Sequence, residues 1–241
     1  MDTKEIIGKL AQFDTPTICN IIELFNIRPN NTGYMDKRIQ ACFPEFPPMV
    51  GFAATATFRA GGAPRSEEGY FGVIDQVKRF EELSGPAVVV FQDLDDPAVA
   101  ATFGEIMCTT YQAFGAAGLI TSGAGRDLQQ VRGIQFPVFT NGTICSHGYV
   151  HFPQVYVPIH VGGITVYPND LLHGDLNGVT TIPIEIASEV AEVGPDFLAA
   201  ENVVLSAMRG NNLTPEIFQE ALAESKSQIQ KLRNRLSRPK K

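Results

Sequence analysis

Residues 86–93, PAVVVFQD, form a short unbroken apolar run rich in β-branched side chains, with proline at one end and an acid at the other. Such a run reads as a strand buried on both faces, the environment of a parallel sheet. Two more runs of this kind follow, AGLITSG at 117–123 and FPVFTNG at 136–142. A helical stretch from about Gly104 to Phe114 separates the first two, and a short helix opened by RDLQQVR separates the second two. Parallel strands need such crossovers, so strand–helix–strand–helix–strand specifies an α/β fold.

The flanks extend this unit. TKEIIGKLAQF sets Ile6, Ile7, Leu10 and Phe13 on one side of a helix; DTPTICNIIELF restarts it, with Thr15 as the expected cap and Pro16 at the first helical position. Residues 26–48 are polar, proline-rich and irregular, and read as a loop. MVGFAATATFRA reads as a strand and GYFGVIDQVKRFEEL as a helix. The second half, QVYVPIHVGGITVYPNDLLHGDLNGVTTIP, breaks into short strands between tight turns. Two helical stretches end the chain, one opening at IEIASEVAEV and the other spanning TPEIFQEALAESKSQIQKLRNRL. The expectation is one α/β domain over 1–241, with helices over about 1–25, a β-rich second half and a basic helical tail over about 214–241.

Charge excludes some functions. Seven of the 19 Lys and Arg residues lie from Lys226 onward, where there is no acid, so the remainder sets twelve bases against all 26 acids. Such a body repels nucleic acid, and the basic tail reads as a solvated end. No stretch is long and apolar enough to span a bilayer, and the start lacks the basic region and apolar core of a secretory signal. Cys19, Cys42, Cys108 and Cys145 are widely spaced, which fits a reducing compartment, with the cytoplasm expected, better than zinc or disulfides.

The chemistry concentrates in FGEIM and SGAGRD. The helix from Gly104 runs roughly 15 Å and the strand at 117–122 returns over about 20 Å. Helix start and strand end therefore share the carboxyl edge of the sheet, where open α/β sheets bind ligands. Gly123 and Gly125 are expected to turn the chain so that Arg126 and Asp127 both face Gly104 and Glu105. Free amides of Glu105, Ile106 and Met107 suit a carboxylate. Arg126 suits a keto or enolate oxygen. Asp127 suits Mg²⁺ or Mn²⁺, with Glu105 orienting its waters. An exposed ion pair with a capping role, and an ordinary favourable charge at a helix start, explain the same residues without chemistry; spacing alone leaves both readings open.

The acid, twenty residues, then Arg-Asp arrangement resembles the class II pyruvate aldolases that cleave 4-hydroxy-4-methyl-2-oxoglutarate, a family that shares its fold with the regulator of ribonuclease E activity A. DTPTICNII, GFAATATF, AAGLITSGAGRD, FPVFTNG and GGITVYPNDLLHGDLNGVTTIP occur in the same order over most of residues 14–193. The resemblance implies a swivelling β/β/α fold in trimers or hexamers, a pyruvyl carboxylate site at Gly104–Met107, Arg126 on the keto oxygen and Asp127 on the metal. It implies metal-dependent release of pyruvate from a 4-hydroxy-2-oxo acid, or decarboxylation of oxaloacetate. The alternatives are a non-catalytic regulator of ribonuclease E and a same-fold enzyme for another metal-chelating acid. Glu105 replaces a common Asp, Asn20 a frequent Asp, and the 26–48 loop and basic helix are additional. The non-catalytic regulators lack the acid beside the arginine, so Asp127 favours catalysis.

Other polar residues carry weaker signals. His147 and His151 stand four apart, but glycine between them argues for a loop, in a structural or substrate-contacting role. His160 and His173 read as core or edge histidines, and Asp170 and Asp175 as turn formers. Ser122 and Ser146 lack a nucleophile elbow, and GAAG and RAGGAP are too weak as signals for phosphate loops.

Overall fold

Helix α1 (Thr3–Leu10) starts where the Asp2 carboxylate accepts the Glu5 amide, and α2 (Thr15–Leu24) where Asp14 accepts that of Thr17. Asp14, not Thr15, is therefore the cap of α2. The carboxylate one residue earlier reaches the free amide, while the Thr15 hydroxyl is drawn 2.9 Å from Nδ1 of the buried His173. The computed structural model describes residues 1–63, 71–211 and 213–238. Gly69 and Tyr70, where the sequence places the start of the next helix, lie outside them.

The remaining elements begin with β1 (Gln40–Ala41), β2 (Met49–Phe58), α3 (Phe71–Lys78), β3 (Ala87–Asp93), β4 (Ala101–Phe103), α4 (Glu105–Ala113), β5 (Gly118–Thr121), β6 (Ala124–Gly125), α5 (Leu128–Gly133) and β7 (Val138–Thr140). Then come β8 (Ile159–Val161), β9 (Ile164–Val166), β10 (Leu171–Asp175), β11 (Gly178–Ile182), α6 (Ala187–Met208) and α7 (Pro215–Leu236). Among the described residues, seven strands form one sheet in the order β1-β7-β5-β3-β2-β10-β11. The central β2, β3, β5 and β7 are parallel, while β10 is antiparallel to both β2 and β11.

The apolar runs are continuous because each strand is covered on both sides. Ala54, Ala56, Val89, Phe91 and Leu119 face α4, where Cys108 and Tyr111 are fully buried. Their neighbours Ala53, Val88, Val90 and Ile120 face the β8–β9 hairpin through Ile159, Val161 and Val166. This is the period-two alternation of a pleated strand with both faces dry. A third cluster joins α1, α2, α6 and α7 to Val50, Phe52, Leu171 and Ile182.

The basic tail is not simply solvated. Helix α7 buries Ala221, Ser225, Leu232 and Leu236 on one face, and bases of the tail meet acids of α6: Arg235 with Asp196 at 3.2 Å, and Arg238, just past the helix, with Glu189. The heptad-like spacing of these buried positions is masked in the sequence by the polar residues between them.

Candidate active site

Short β4 was not visible in the sequence, because three residues inside a loop give no periodicity. It pairs in parallel with β6, which lies between β4 and the segment 142–144. The glycines flanking Ala124 make this packing possible. A Cβ on Gly123 would stand 2.3 Å from Asp93 Oδ2 and 2.6 Å from Thr102 Oγ1, and one on Gly125 would stand 2.3 Å from the Phe103 ring. They serve close approach; the turn itself occurs later, at Asp127, whose φ of 55° and ψ of 35° are left-handed. A carboxylate residue tolerates this region better than most side chains, and its use at a site is a recognised form of stored strain.

That turn answers why a cation and an acid stand side by side. The Arg126 amide donates to the Phe103 carbonyl at 3.1 Å, which fixes the chain beside the start of α4. The left-handed step then swings Asp127 toward the same place. Asp127 Oδ2 accepts the Glu105 amide at 3.1 Å and lies 3.7 Å from Arg126 Nε. Gly104 leaves the space: a Cβ there would sit 2.5 Å from Asp127 Oδ2 and 3.0 Å from Arg126 Nε. Gly104, Glu105, Arg126 and Asp127 thus converge, with Arg126 and Asp127 each about one-third exposed.

The amides divide. Glu105 N–H is taken by Asp127, whereas those of Ile106 and Met107 have no protein acceptor among the described residues. Those two amides, at the positive end of α4, remain available to an anion. Asp127 Oδ1 likewise has no hydrogen bond among the described residues. The Glu105 side chain is exposed at the rim.

No group of three or more His, Cys, Asp or Glu among the described residues could enclose a metal ion. That donor chemistry does not fit zinc, which takes several protein ligands. It fits Mg²⁺ or Mn²⁺, which binds through one or two carboxylates and keeps water in its remaining positions. Asp127 Oδ1 would hold such an ion.

Arg126 opens on a cavity of about 420 Å³ whose walls include Val73 and Ile74 of α3, Ile106 and Met107 of α4, and Val150. His147 also lines it. The two loop histidines do not pair: His147 Nδ1 donates to the Gly148 carbonyl at 2.8 Å and His151 Nδ1 to that of Tyr149 at 2.9 Å. His173 is a core histidine, fully buried between Thr15 and the Leu10 carbonyl, and burial lowers its pKa.

A second cavity, of about 460 Å³, was not foreseen. It lies at the carboxyl ends of β3, β5 and β7 and is lined by Gln92, Asp93, Ser122, Asn141 and His160 among others. Burial, reinforced by Asp95, pushes the Asp93 carboxyl up to about 6, against one hydrogen bond from the Asp95 amide that lowers it. An acid closing a doubly buried strand at this edge was the available signal.

A family model described as RraA-like (Aldolase/RraA) matches residues 15–181, a span that includes Glu105, Arg126 and Asp127. The chain belongs to the RraA-like family. One curated relative, from Halalkalibacterium halodurans and named "Putative 4-hydroxy-4-methyl-2-oxoglutarate aldolase", is 33% identical over 101 residues, 42% of this chain and 48% of that protein. The matches span between 17% and 55% of the length of the curated relatives. Among solved structures, one described as a novel cellulase from gut-associated microbes aligns with a TM-score of 0.70 and 23% identity, over 84% of this chain and 87% of that one. Streptomyces coelicolor RraAS2, described as an unusual member of the RNase ES inhibitor RraA protein family, aligns with a TM-score of 0.68 and 21% identity, over 87% and 100%. At these identities the structural likeness establishes the RraA-like fold, as the resemblance implied.

Proposed function

We propose that the chain is a divalent-metal-dependent carbon–carbon lyase that releases pyruvate from a 4-hydroxy-2-oxo acid and, by the same electronic demand, decarboxylates oxaloacetate. One observation carries this reading: Asp127 is held left-handed with one oxygen on the Glu105 amide, the other unpartnered, and Arg126 alongside. A surface ion pair does not need a glycine cradle or a strained backbone. Family membership and the relative named for aldolase activity add support.

The amides of Ile106 and Met107 would hold the substrate carboxylate, and the Arg126 guanidinium would face the C2 oxygen. When bound, a divalent cation supplies Lewis-acid charge at the 2-oxo group. As the C3–C4 bond breaks, its electron pair passes toward the C2 oxygen, where Arg126 is a preorganised counter-charge. The proton of the 4-hydroxyl leaves to water ordered by Glu105, C4 becomes a carbonyl, and C3 takes up a proton to complete pyruvate.

The test is pyruvate release with and without Mg²⁺. Asp127→Ala is expected to abolish metal-dependent turnover while the circular dichroism spectrum stays native; undiminished activity in that variant overturns the assignment. Streptomyces RraAS2 belongs to an inhibitor family by its description, so a parallel pull-down with ribonuclease E distinguishes the regulatory alternative. We also infer a homotrimer or dimer of trimers. Leu198, Leu205, Leu213 and Phe218 are exposed on and around the α6–α7 hairpin and would be covered in such an assembly. Four free cysteines fit a reducing, cytoplasmic setting, and no helix among the described residues is long and apolar enough to cross a membrane.

A further inference from the structure

The cavity beside Arg126 is larger and more apolar than a pyruvyl group requires. Its volume of about 420 Å³ equals the liquid share of about fourteen waters, well beyond a three-carbon acid seated on Ile106 and Met107. Val73 and Ile74 of α3 and Val150 supply apolar wall to this space. Two large side chains at the mouth are unusually bare, with Ile106 84% exposed and Ile74 60% exposed. Arg126 is the only Lys or Arg among the described lining residues, and in the proposed mechanism it is engaged at the C2 oxygen. His147, the other basic group there, gives its Nδ1 proton to Gly148.

A substrate carboxyl held at the α4 amides, with its keto oxygen at Arg126, directs C4 and its substituent along this wall. A carboxylate in that position would lose water against valine and isoleucine side chains with no fixed cation among the described residues, and burying an unpaired charge is strongly unfavourable. An alkyl or aryl group would cover Ile74, Ile106 and Val150 and bury its own surface at the same time.

We propose that this cavity selects 4-hydroxy-2-oxo acids whose C4 substituent is apolar, alkyl or aryl, over those bearing a second carboxylate at that position; this rests on the reading of Arg126 and the α4 amides as a pyruvyl site. Cleavage of 4-hydroxy-2-oxo-4-phenylbutanoate would break C3–C4, pass the hydroxyl proton to water, leave C4 as benzaldehyde and return a proton to C3 of pyruvate. Atoms and electrons balance without a redox partner.

The full chain with Mg²⁺ would be assayed for pyruvate release from 4-hydroxy-2-oxo-4-phenylbutanoate, 4-hydroxy-5-methyl-2-oxohexanoate and 4-hydroxy-4-methyl-2-oxoglutarate. Binding would be read separately, by calorimetry, with the uncleavable 2-oxo-4-phenylbutanoate and 2-oxoglutarate. The expected result is at least a tenfold advantage in kcat/KM and in affinity for the apolar members. Ile74→Arg is expected to shrink or reverse that advantage in both readouts. Equal or better binding and cleavage of the dicarboxylates overturns the inference and leaves the lyase reading standing. Preferential binding of the apolar analogue without cleavage of any substrate supports the inference about the cavity and overturns the lyase. If neither analogue binds, the inference fails.

Discussion

Replacing Gly104 by alanine isolates the geometry on which the site depends. The residue has φ −150° and ψ −171°, an extended conformation open to any amino acid, so the backbone opposes nothing. The added Cβ would instead lie 2.5 Å from Asp127 Oδ2, and the carboxylate must retreat by about 1 Å to reach ordinary contact distance. That movement breaks the 3.1 Å hydrogen bond from Glu105. A hydrogen bond to a charged group contributes about 1.5–3 kcal/mol, and the lower half of that range applies to a carboxylate that is one-third exposed. The corresponding loss is on the order of 10–50-fold in kcat/KM for Mg²⁺-dependent pyruvate release. Stability should fall with the same bond, by about 1.5–2 kcal/mol. Alanine is a poorer helix cap than glycine by about 0.5 kcal/mol, and the loss of unfolded-state freedom offsets this by a similar ~0.5 kcal/mol. The measurement is therefore double: steady-state kinetics, and calorimetric unfolding, with Tm lowered by about 3–8 °C. Activity within threefold of the parent would refute the argument that Asp127 must be held where it is.

Other perturbations test the frame around the site. Gln76 is fully buried, donates to the Ala54 carbonyl at 3.0 Å and accepts the hydroxyl of buried Tyr111, so Gln76→Leu should cost about 2–4 kcal/mol in urea unfolding. Burial lowers the pKa of His173, so the unfolded chain binds more protons than the folded one below its ordinary value of 6.5. Stability should therefore fall as pH drops through 6.5, and this component should vanish in His173→Gln when denaturation is compared at pH 5.5 and 7.5. Asp93 has the opposite sign: with its folded pKa raised to about 6 from 3.8, its stabilising contribution is present below 3.8 and is lost as pH rises through 6. Asp93→Asn should gain stability relative to the parent at pH 7.5, with the gain disappearing near pH 3.5.

The parallel unit was readable because its strands have one composition on both faces, and no other element places Val88, Val89 and Val90 in succession. The convergence of Glu105, Arg126 and Asp127 was expected from element lengths together with a glycine turn. Its mechanism differed, since Gly123 and Gly125 were expected to turn the chain and instead permit close packing, while Asp127 turns it. A left-handed aspartate has no signature in composition. Nor had β4, whose three residues owe their strand geometry to a partner more than twenty positions away. The capping of α2 by Asp14 was hidden for a related reason: two adjacent residues could both cap, and a histidine far along the chain decided between them.

The short pairing of β4 with β6 has a wider consequence. Arg126 is tied by its own backbone to Phe103, whereas Val73, Ile74 and Val150 come from segments that take no part in that tie. On the proposed reading, the groups that would break the bond and most of those that would choose the substrate therefore lie on separate stretches of chain. Relatives could exchange one wall for another and keep the same reaction, so a diversity of substrates within a single lineage requires no reinvention of its chemistry.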